Sequence, residues 1–306
     1  MSFKLRFQLL VPALALLSVV PAFGQFSAPA IVTTSGYLNG TSLTSHTTSP
    51  FNSTGATTLV VFVSTNTPWN GATVNISGVT DNLGNTWNLL TGPTTWAGST
   101  GTLLSAIYYT NAPATSTSDT VTATLSNPAP LVMHVFAVSG SDVTVAPISS
   151  AISSPVPGGT SAIVASSPPI TVPANSLLLG WAKNETGGTA TATGGYLLDS
   201  SQSTSFLWAE SQMAPAPGSY TSQFQYASAI GWQTALVGIT ASTGPVASNQ
   251  STNTGFNTPL NIALLATSRT GGMLTYSVVT GPAHGVLTGT APNLTYVPNA
   301  GYSGSD

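Results

Sequence analysis

The chain has 306 residues, of which only 4% are charged, with four Lys and Arg, seven Asp and Glu, three His and no Cys. So few cations exclude nucleic-acid binding, because phosphates could not be neutralised. The absence of cysteine excludes a disulfide framework and a thiolate metal site. Ser and Thr fill more than a quarter of the chain, so hydroxyl groups replace charges as water-facing groups, while 42% hydrophobic residues are enough for a core.

Residues 1–24 have the pattern of a secretory signal peptide. Two cations precede an apolar run from Leu9 to Val20, and Ala22-Phe23-Gly24 is a small-x-small cleavage site. A membrane span needs about 20 apolar residues, so this run is too short for an anchor, and no later segment approaches a span. We expect cleavage after Gly24 and a secreted or cell-surface protein.

The remaining chain alternates short β-branched runs with Gly, Pro, Asn and Ser clusters, which is typical of all-β proteins. No window carries a sustained helical stripe. The strands predicted for residues 25–240 are Ala30–Leu38, Thr58–Ser64, Ala72–Val79, Thr86–Leu90, Leu103–Thr110, Thr120–Ser126, Leu131–Ser139, Ala162–Ala165, Ser176–Lys183, Tyr196–Asp199, Ser205–Gln212, Tyr220–Tyr226 and Trp232–Thr240. They predict one large, jelly-roll-like β-sandwich domain.

Some of these strand sequences recur in the same order. Leu59–Val63 corresponds to Leu177–Trp181, and four further pairs of strands follow in register along the chain. Two interpretations stay open at this point. Either the domain is internally duplicated, with two five-stranded halves around one core, or the similarity is the one that all sandwich strands share.

Residues 241–258 have the composition of a linker and the start of a second unit. Residues 259–306 carry the segments LTYSVVTGPAHG and APNLTYVPNAGYSGSD. This part resembles the bacterial cadherin-like, Ig-like repeats that stand in tandem in large secreted surface proteins and adhesins. The resemblance implies a small β-sandwich, and it implies an incomplete repeat and a fragment of a longer protein, because the family continues with another aromatic-rich strand.

Members of that family often carry an Asp-rich stretch before the Leu-Thr-Tyr strand. Here residues 268–273 hold no acid, so we expect no metal at this place and no cofactor elsewhere. The large domain resembles, loosely, uncharacterised secreted sandwich domains of environmental bacteria, through its TDNLGNTW turn and its LLSAIYYTNAP strand. That resemblance implies no activity.

No catalytic residue is predicted. The three histidines are scattered, which favours structural roles, and neither a Gly-x-Ser-x-Gly segment nor a cysteine supplies a nucleophile. A glycosidase needs only two carboxylates, so it is the only enzyme class left open. Glu210 shares a strand face with Phe206 and Trp208, which fits either a sugar subsite or a solvated acid on an outer face.

Tryptophans offer a second route to a ligand, because exposed flat aromatics stack on sugar rings. Trp69 and Trp96 are predicted in loops and therefore exposed, whereas Trp181 continues an apolar strand face and is predicted in the core. The candidate carbohydrate contacts are thus Trp69, Trp96, Trp208 and Glu210. Lys183 ends its apolar run and is expected to hold a solvated amine.

Two functions remain from the sequence. The first is a non-catalytic structural or adhesion protein of a bacterial surface, a β-sandwich head on Ig-like repeats. The alternative is an extracellular carbohydrate-binding or glycoside-processing protein. The expected partners are an extracellular polysaccharide or a surface protein.

The low charge content leads to a first prediction. Salt screens interactions between exposed charges, and few such interactions exist here, so the melting temperature should stay nearly constant between low and moderate salt. Thermal unfolding of the mature protein over a sodium chloride series measures this, and a marked shift contradicts it.

Overall fold

The computed structural model describes residues 3–4, 7–10, 29–66, 73–97, 102–154, 162–184, 190–198, 207–242, 244–247, 250–268 and 273–306. Within these ranges the regular structure is all β-strand, without helix, which confirms the predicted fold class. The chain forms two compact units. The larger one comprises residues 27–242, and the second comprises residues 1–26 and 243–306.

Twenty-five strands are numbered here in chain order. They are β1 (Phe3–Lys4), β2 (Phe7–Leu10), β3 (Ala30–Thr47), β4 (Thr58–Asn66), β5 (Ile76–Asp81), β6 (Asn88–Ala97), β7 (Thr102–Asn111), β8 (Val121–Ser139), β9 (Ile148–Ser149), β10 (Ala162–Ser166), β11 (Ile170–Val172), β12 (Leu177–Asn184), β13 (Ala190–Ala192), β14 (Leu197–Leu198), β15 (Leu207–Met213), β16 (Gly218–Tyr220), β17 (Gln223–Ile230), β18 (Trp232–Ile239), β19 (Val246–Ala247), β20 (Ser251–Thr252), β21 (Leu260–Ala263), β22 (Ala266–Thr267), β23 (Thr275–Val278), β24 (Gly285–Thr290) and β25 (Asn293–Pro298). Each predicted strand of the larger unit overlaps at least one of them.

The larger unit contains two antiparallel central sheets with the same strand order. The first runs β3-β8-β4-β7-β6 and the second runs β9-β18-β12-β15-β14. Beside each central sheet the order recurs again. The start of β8 lies between the end of β3 and β5, as β17 lies between β10 and β13. This repetition of strand order supports the internal duplication.

The proposed residue correspondence is wrong by one position in at least one strand. Leu59 packs in a cluster with Ala56 and Ala137, on the face of β4 that points away from the second central sheet. Leu177 instead packs in the core shared by both central sheets. A shift by one residue exchanges the two faces of a strand, so a match made by residue similarity alone could not fix the faces.

Three apolar layers, rather than one core, hold the larger unit together. A central layer between the two sheets includes Phe62, Ile107, Leu179 and Trp181. Another layer fills the first half, and two clusters fill the second half on the far face of its central sheet. The central strands therefore have core on both faces, and β12 and β18 are buried at every position.

This burial overturns the expectation for Lys183. Its side chain is 3% exposed, because β12 runs between two layers to its last residue, and its Nζ donates a hydrogen bond to the carbonyl oxygen of Asn184. Its neighbour across the sheet is Gln233, which contacts the first half: Ser105 Oγ donates to Gln233 Oε1 at 2.6 Å. A small polar cluster thus adjoins the apolar central layer.

The C-terminal part of the second unit is organised around Tyr296. It is fully buried with Ile262, Leu264 and Leu294 in a sheet of order β21-β25-β24. Its hydroxyl donates to Asp306 Oδ2 at 2.8 Å. A Cβ on Gly285 would lie 2.2 Å from the Tyr296 ring, so the glycine of the Ala-His-Gly segment makes room for this tyrosine.

Two short strands of the N-terminal segment pair with strands of residues 243–306 inside the second unit. β1 pairs with β20 and β2 pairs with β23, both antiparallel. These strands belong to the residues for which cleavage is predicted, and that cleavage stays a prediction.

A second prediction concerns the central layer. Phe62 stacks on Trp181 with ring centroids 5.6 Å apart and meets Phe136 edge-on at 6.0 Å. Phe62→Ala should destabilise the protein by about 3–5 kcal/mol, since it leaves a cavity in a closed core. Denaturant unfolding measures this change. Leu197→Ala is the control, since Leu197 is 75% exposed, and equal effects of the two substitutions would contradict the layer arrangement.

Candidate functional site

The structure separates the two tryptophans that were predicted to be exposed. Trp69 lies outside the described residues. Trp96 is only 7% exposed, so its predicted loop position is wrong. It lies on β6, which extends to Ala97, and it pairs with Leu103 of β7. A tryptophan buried in this way has no face to offer to a sugar.

Trp208 and Glu210 lie on the same face of β15, as their spacing predicts, and that face points into the second half. Trp208 is half-buried against a cluster that contains Phe224 and Trp232. Glu210 is completely buried, so it is neither a solvated acid nor an open sugar subsite. The expectation of an outer face is wrong because β15 belongs to a central sheet covered on both sides.

Glu210 occupies space that a glycine leaves free. It pairs directly with Gly180, where a Cβ would come within 2.7 Å of Glu210 Cγ and 2.4 Å of Ser222 Oγ. Ser222 Oγ donates a hydrogen bond to Glu210 Oε1 at 2.8 Å. The missing side chain at Gly180 thus allows a carboxyl group to lie against the sheet.

Burial raises the pKa of Glu210 to about 8, although hydrogen bonds from Ser222 and the backbone of Gln223 oppose the shift. Burial also raises the pKa of Tyr196 and Tyr226, and the nearby Glu210 adds to both shifts. At neutral pH Glu210 is therefore mainly a neutral acid. Because Glu210 has no exposed surface, its protonation state affects the stability of the fold, and its carboxyl group does not reach a substrate.

A pair of carboxylates, Asp81 and Asp119, lies in the first half. Asp81 is committed to its own turn: it accepts hydrogen bonds from the backbone of Leu83 and Asn85, at 3.0 Å each, and from Trp87 Nε1 at 2.8 Å. Asp119 is fully buried, and burial is the main cause of its raised pKa. Neither acid is placed as a glycosidase pair requires, with two groups that flank a bound sugar.

The histidines have structural surroundings. His46 is buried and donates through Nε2 to the carbonyl oxygen of Ala129 at 2.9 Å, His134 packs its ring against Phe136 with centroids 4.5 Å apart, and His284 stacks on Tyr302 at 4.1 Å. Among the residues described, no group of three His, Cys, Asp or Glu could hold a metal ion.

The larger unit has an open cleft of about 540 Å³ that the sequence did not reveal. Three segments line it: Gly84–Thr86 with Asn88, Tyr109–Ala112, and Val143–Ala146. We refer to it as the asparagine cleft. Asn88 and Tyr109 are neighbours across β6 and β7, on the face that continues inward to the central layer, so the cleft lies where that layer reaches the surface.

Side-chain hydrogen bonds fix the walls of the asparagine cleft. Asn111 accepts from Thr58 Oγ1 at 2.8 Å and donates to the carbonyl oxygens of Val143 and Val145 at 3.3 and 2.8 Å. Asn85 exchanges two hydrogen bonds with the backbone of Ala114, at 2.7 and 3.0 Å. Two of the three lining asparagines thus hold the loops, and the third, Asn88, is exposed.

Sequence reasoning missed this cleft for a definite reason. The segment that contains Asp81 and Asn85 has the sequence of a simple turn between strands, and it forms one. Its role in the cleft depends on Val143–Ala146, a loop nearly sixty residues away in the chain, which only the folded protein brings alongside. The one usable signal was the concentration of asparagines at residues 82–88.

The comparisons with known proteins concern the C-terminus. Residues 242–306 match the bacterial Ig domain family, which confirms the predicted Ig-like resemblance. No curated protein and no solved structure matches the chain significantly, and the resemblance predicted for the large domain stays a prediction. An Ig domain of this kind is typical of bacterial surface and structural proteins. The described part of the chain holds no helix long and apolar enough to cross a membrane.

Glu210 generates a third prediction. Its pKa is about 8 in the folded protein against an ordinary value of 4.5, so the folded state holds an extra proton between these values. The contribution of Glu210 to the free energy of unfolding is therefore complete below pH 4.5 and should fall by up to about 1.4 kcal/mol for each pH unit towards pH 8. Denaturant unfolding at several pH values from 5 to 8 measures this slope.

Glu210→Gln should remove most of that slope, because an amide does not ionise. Asp142→Asn is the matched control, since Asp142 caps a surface turn through Thr144. A wild-type profile that is flat or rises over this range, or a slope that survives in Glu210→Gln, contradicts the prediction.

Proposed function

We propose that this is a secreted or cell-surface structural and adhesion protein of a bacterium, without catalytic activity. In this proposal the duplicated sandwich of residues 27–242 is the head that meets a partner, and residues 243–306 are an Ig-like repeat that carries it. The match of residues 242–306 to the bacterial Ig domain family is the observation on which the proposal depends.

The state of the acidic residues supports a non-catalytic role. Of the acids of the larger unit that the structure describes, Glu210 and Asp119 are fully buried. Asp81 and Asp142 bind the backbone of their own turns. Catalysis by a glycosidase needs an acid and a base or nucleophile that reach one glycosidic bond, and these four side chains do not offer it.

Carbohydrate binding is the second candidate function, and the asparagine cleft is the observation that favours it. Of the four residues predicted to contact sugars, Trp96 and Glu210 are buried, and the roles of Trp69 and Trp208 stay predictions. The cleft moves the proposed contact surface to amide and hydroxyl groups of the first half.

A fourth prediction tests the proposed location. When the chain is expressed with its own N-terminus in a bacterial host, it should be exported, and intact-mass measurement should place the mature N-terminus at Gln25. Protease added to whole cells should digest the exported protein if it is held at the surface. The control is a variant in which two aspartates interrupt the apolar run between Leu9 and Leu16. This variant should stay inside the cell with residues 1–24 uncleaved.

Retention of the unmodified chain inside the cell, with residues 1–24 intact, would contradict the proposed location. Release of reducing sugar from polysaccharides by the purified mature protein would contradict the non-catalytic role instead.

A further inference from the structure

We propose that the asparagine cleft is a binding site for an uncharged saccharide. The proposal deepens the function proposed above, because an exported head that meets extracellular polysaccharide needs a defined contact surface. Saccharide binding by the cleft does not require that the protein is exported. Only the biological use of such binding depends on the proposed location.

The first argument is the charge of the cleft. Its twelve lining residues include neither a carboxylate nor a cation. The nearest acids in sequence, Asp81 and Asp142, are engaged with the turns that frame it. A phosphorylated, sulfated or acidic ligand would find no counter-charge there, and a cationic ligand would find no free carboxylate.

The second argument is the chemistry of the lining. Asn88, Thr86, Thr144 and Tyr109, which carry amide and hydroxyl groups, are among the residues that line a space of about 540 Å³. This volume is within the range of small-molecule sites. An amide both donates and accepts, as a sugar hydroxyl does. An apolar ligand would strip water from these groups without replacing their hydrogen bonds, so a polyol fits the surface better.

The third argument is the combination of an aromatic wall with rigid polar groups. Tyr109 is half-buried and packs against the central layer, so its ring is held in place while part of it lines the cleft. Val143 and Val145 are exposed on the opposite segment and add apolar surface for the CH faces of a sugar ring. A tyrosine suits such a place, since it offers a flat apolar body and a polar tip.

The fourth argument is that the cleft exists before any ligand binds. Asn111 and Asn85 hold two of its walls through five hydrogen bonds. Next to Asn111, Ala112 has a φ of 50°, a left-handed conformation that disfavours a residue with a Cβ. The surrounding contacts maintain this strained residue, and little ordering remains to be done on binding.

The test is a fifth prediction. The purified mature protein is screened on an array of uncharged glycans, such as glucans, mannans, galactans and xylans, together with acidic and sulfated glycans. We expect binding to at least one uncharged glycan, with a Kd that does not change with salt because no ion pair is formed. Calorimetry then gives the Kd for that glycan.

Variants locate the site. Asn88→Ala and Tyr109→Phe should each weaken binding about five- to tenfold, since each removes about one hydrogen bond, and the pair together should abolish measurable binding. Asn75→Ala and Thr124→Ala are matched controls, because both residues are exposed and lie outside the cleft, and they should leave the Kd unchanged. All four side chains are exposed or only half-buried, so equal melting temperatures show that the variants are folded.

Three results overturn the proposal: binding to none of the uncharged glycans, binding to charged glycans alone, or glycan binding that the cleft variants leave unchanged. These outcomes are independent of the export experiment. A protein that is exported and processed at Gly24 but fails this test keeps its proposed location and loses its proposed ligand, whereas one that binds glycan but is retained in the cell shows the reverse.

Discussion

The structure depends on an apolar interface between two sheets that each have core on both faces. A sheet covered on one side can alternate apolar and polar residues, but a sheet covered on both sides cannot, and its strands become continuous apolar runs. β4, β12 and β18 have this character. The stacked pair Phe62 and Trp181 joins the halves at this interface. A chain with neither disulfides nor many ion pairs must rely on such burial for its stability.

The covering of both sheet faces also explains why two ionisable side chains are buried. Lys183 and Glu210 lie on opposite faces of the second central sheet, and both are buried although both were expected in solvent. A specific contact makes each burial possible. Lys183 donates a hydrogen bond to a backbone carbonyl oxygen, while Gly180 leaves room for the carboxyl group of Glu210. Burial of an acid with one hydroxyl partner favours its neutral form, so this residue makes the stability depend on pH without taking part in chemistry.

The duplication also bears on function. The two halves repeat their strand order, yet Glu210 and Gly180 occur in the second half and the asparagine cleft in the first. Repeated folds commonly keep the packing arrangement and vary the loops, which carry function. In the Ig-like part, the recognisable sequence motif likewise serves packing. Its residues Gly285, Tyr296 and Asp306 contact one another inside that part.

The sequence by itself determined the strand content, because alternation, β-branched runs and turn residues are local signals. It also determined the Ig-like C-terminus, through motifs that stand close together. It could not decide which faces were covered. Glu210 was expected in contact with solvent because a strand carries no mark of what packs on it from a distant segment, and Trp96 because the full length of β6 was not recognised. The asparagine cleft likewise joins residues 84–88, 109–112 and 143–146, and only the tertiary structure brings these three segments together.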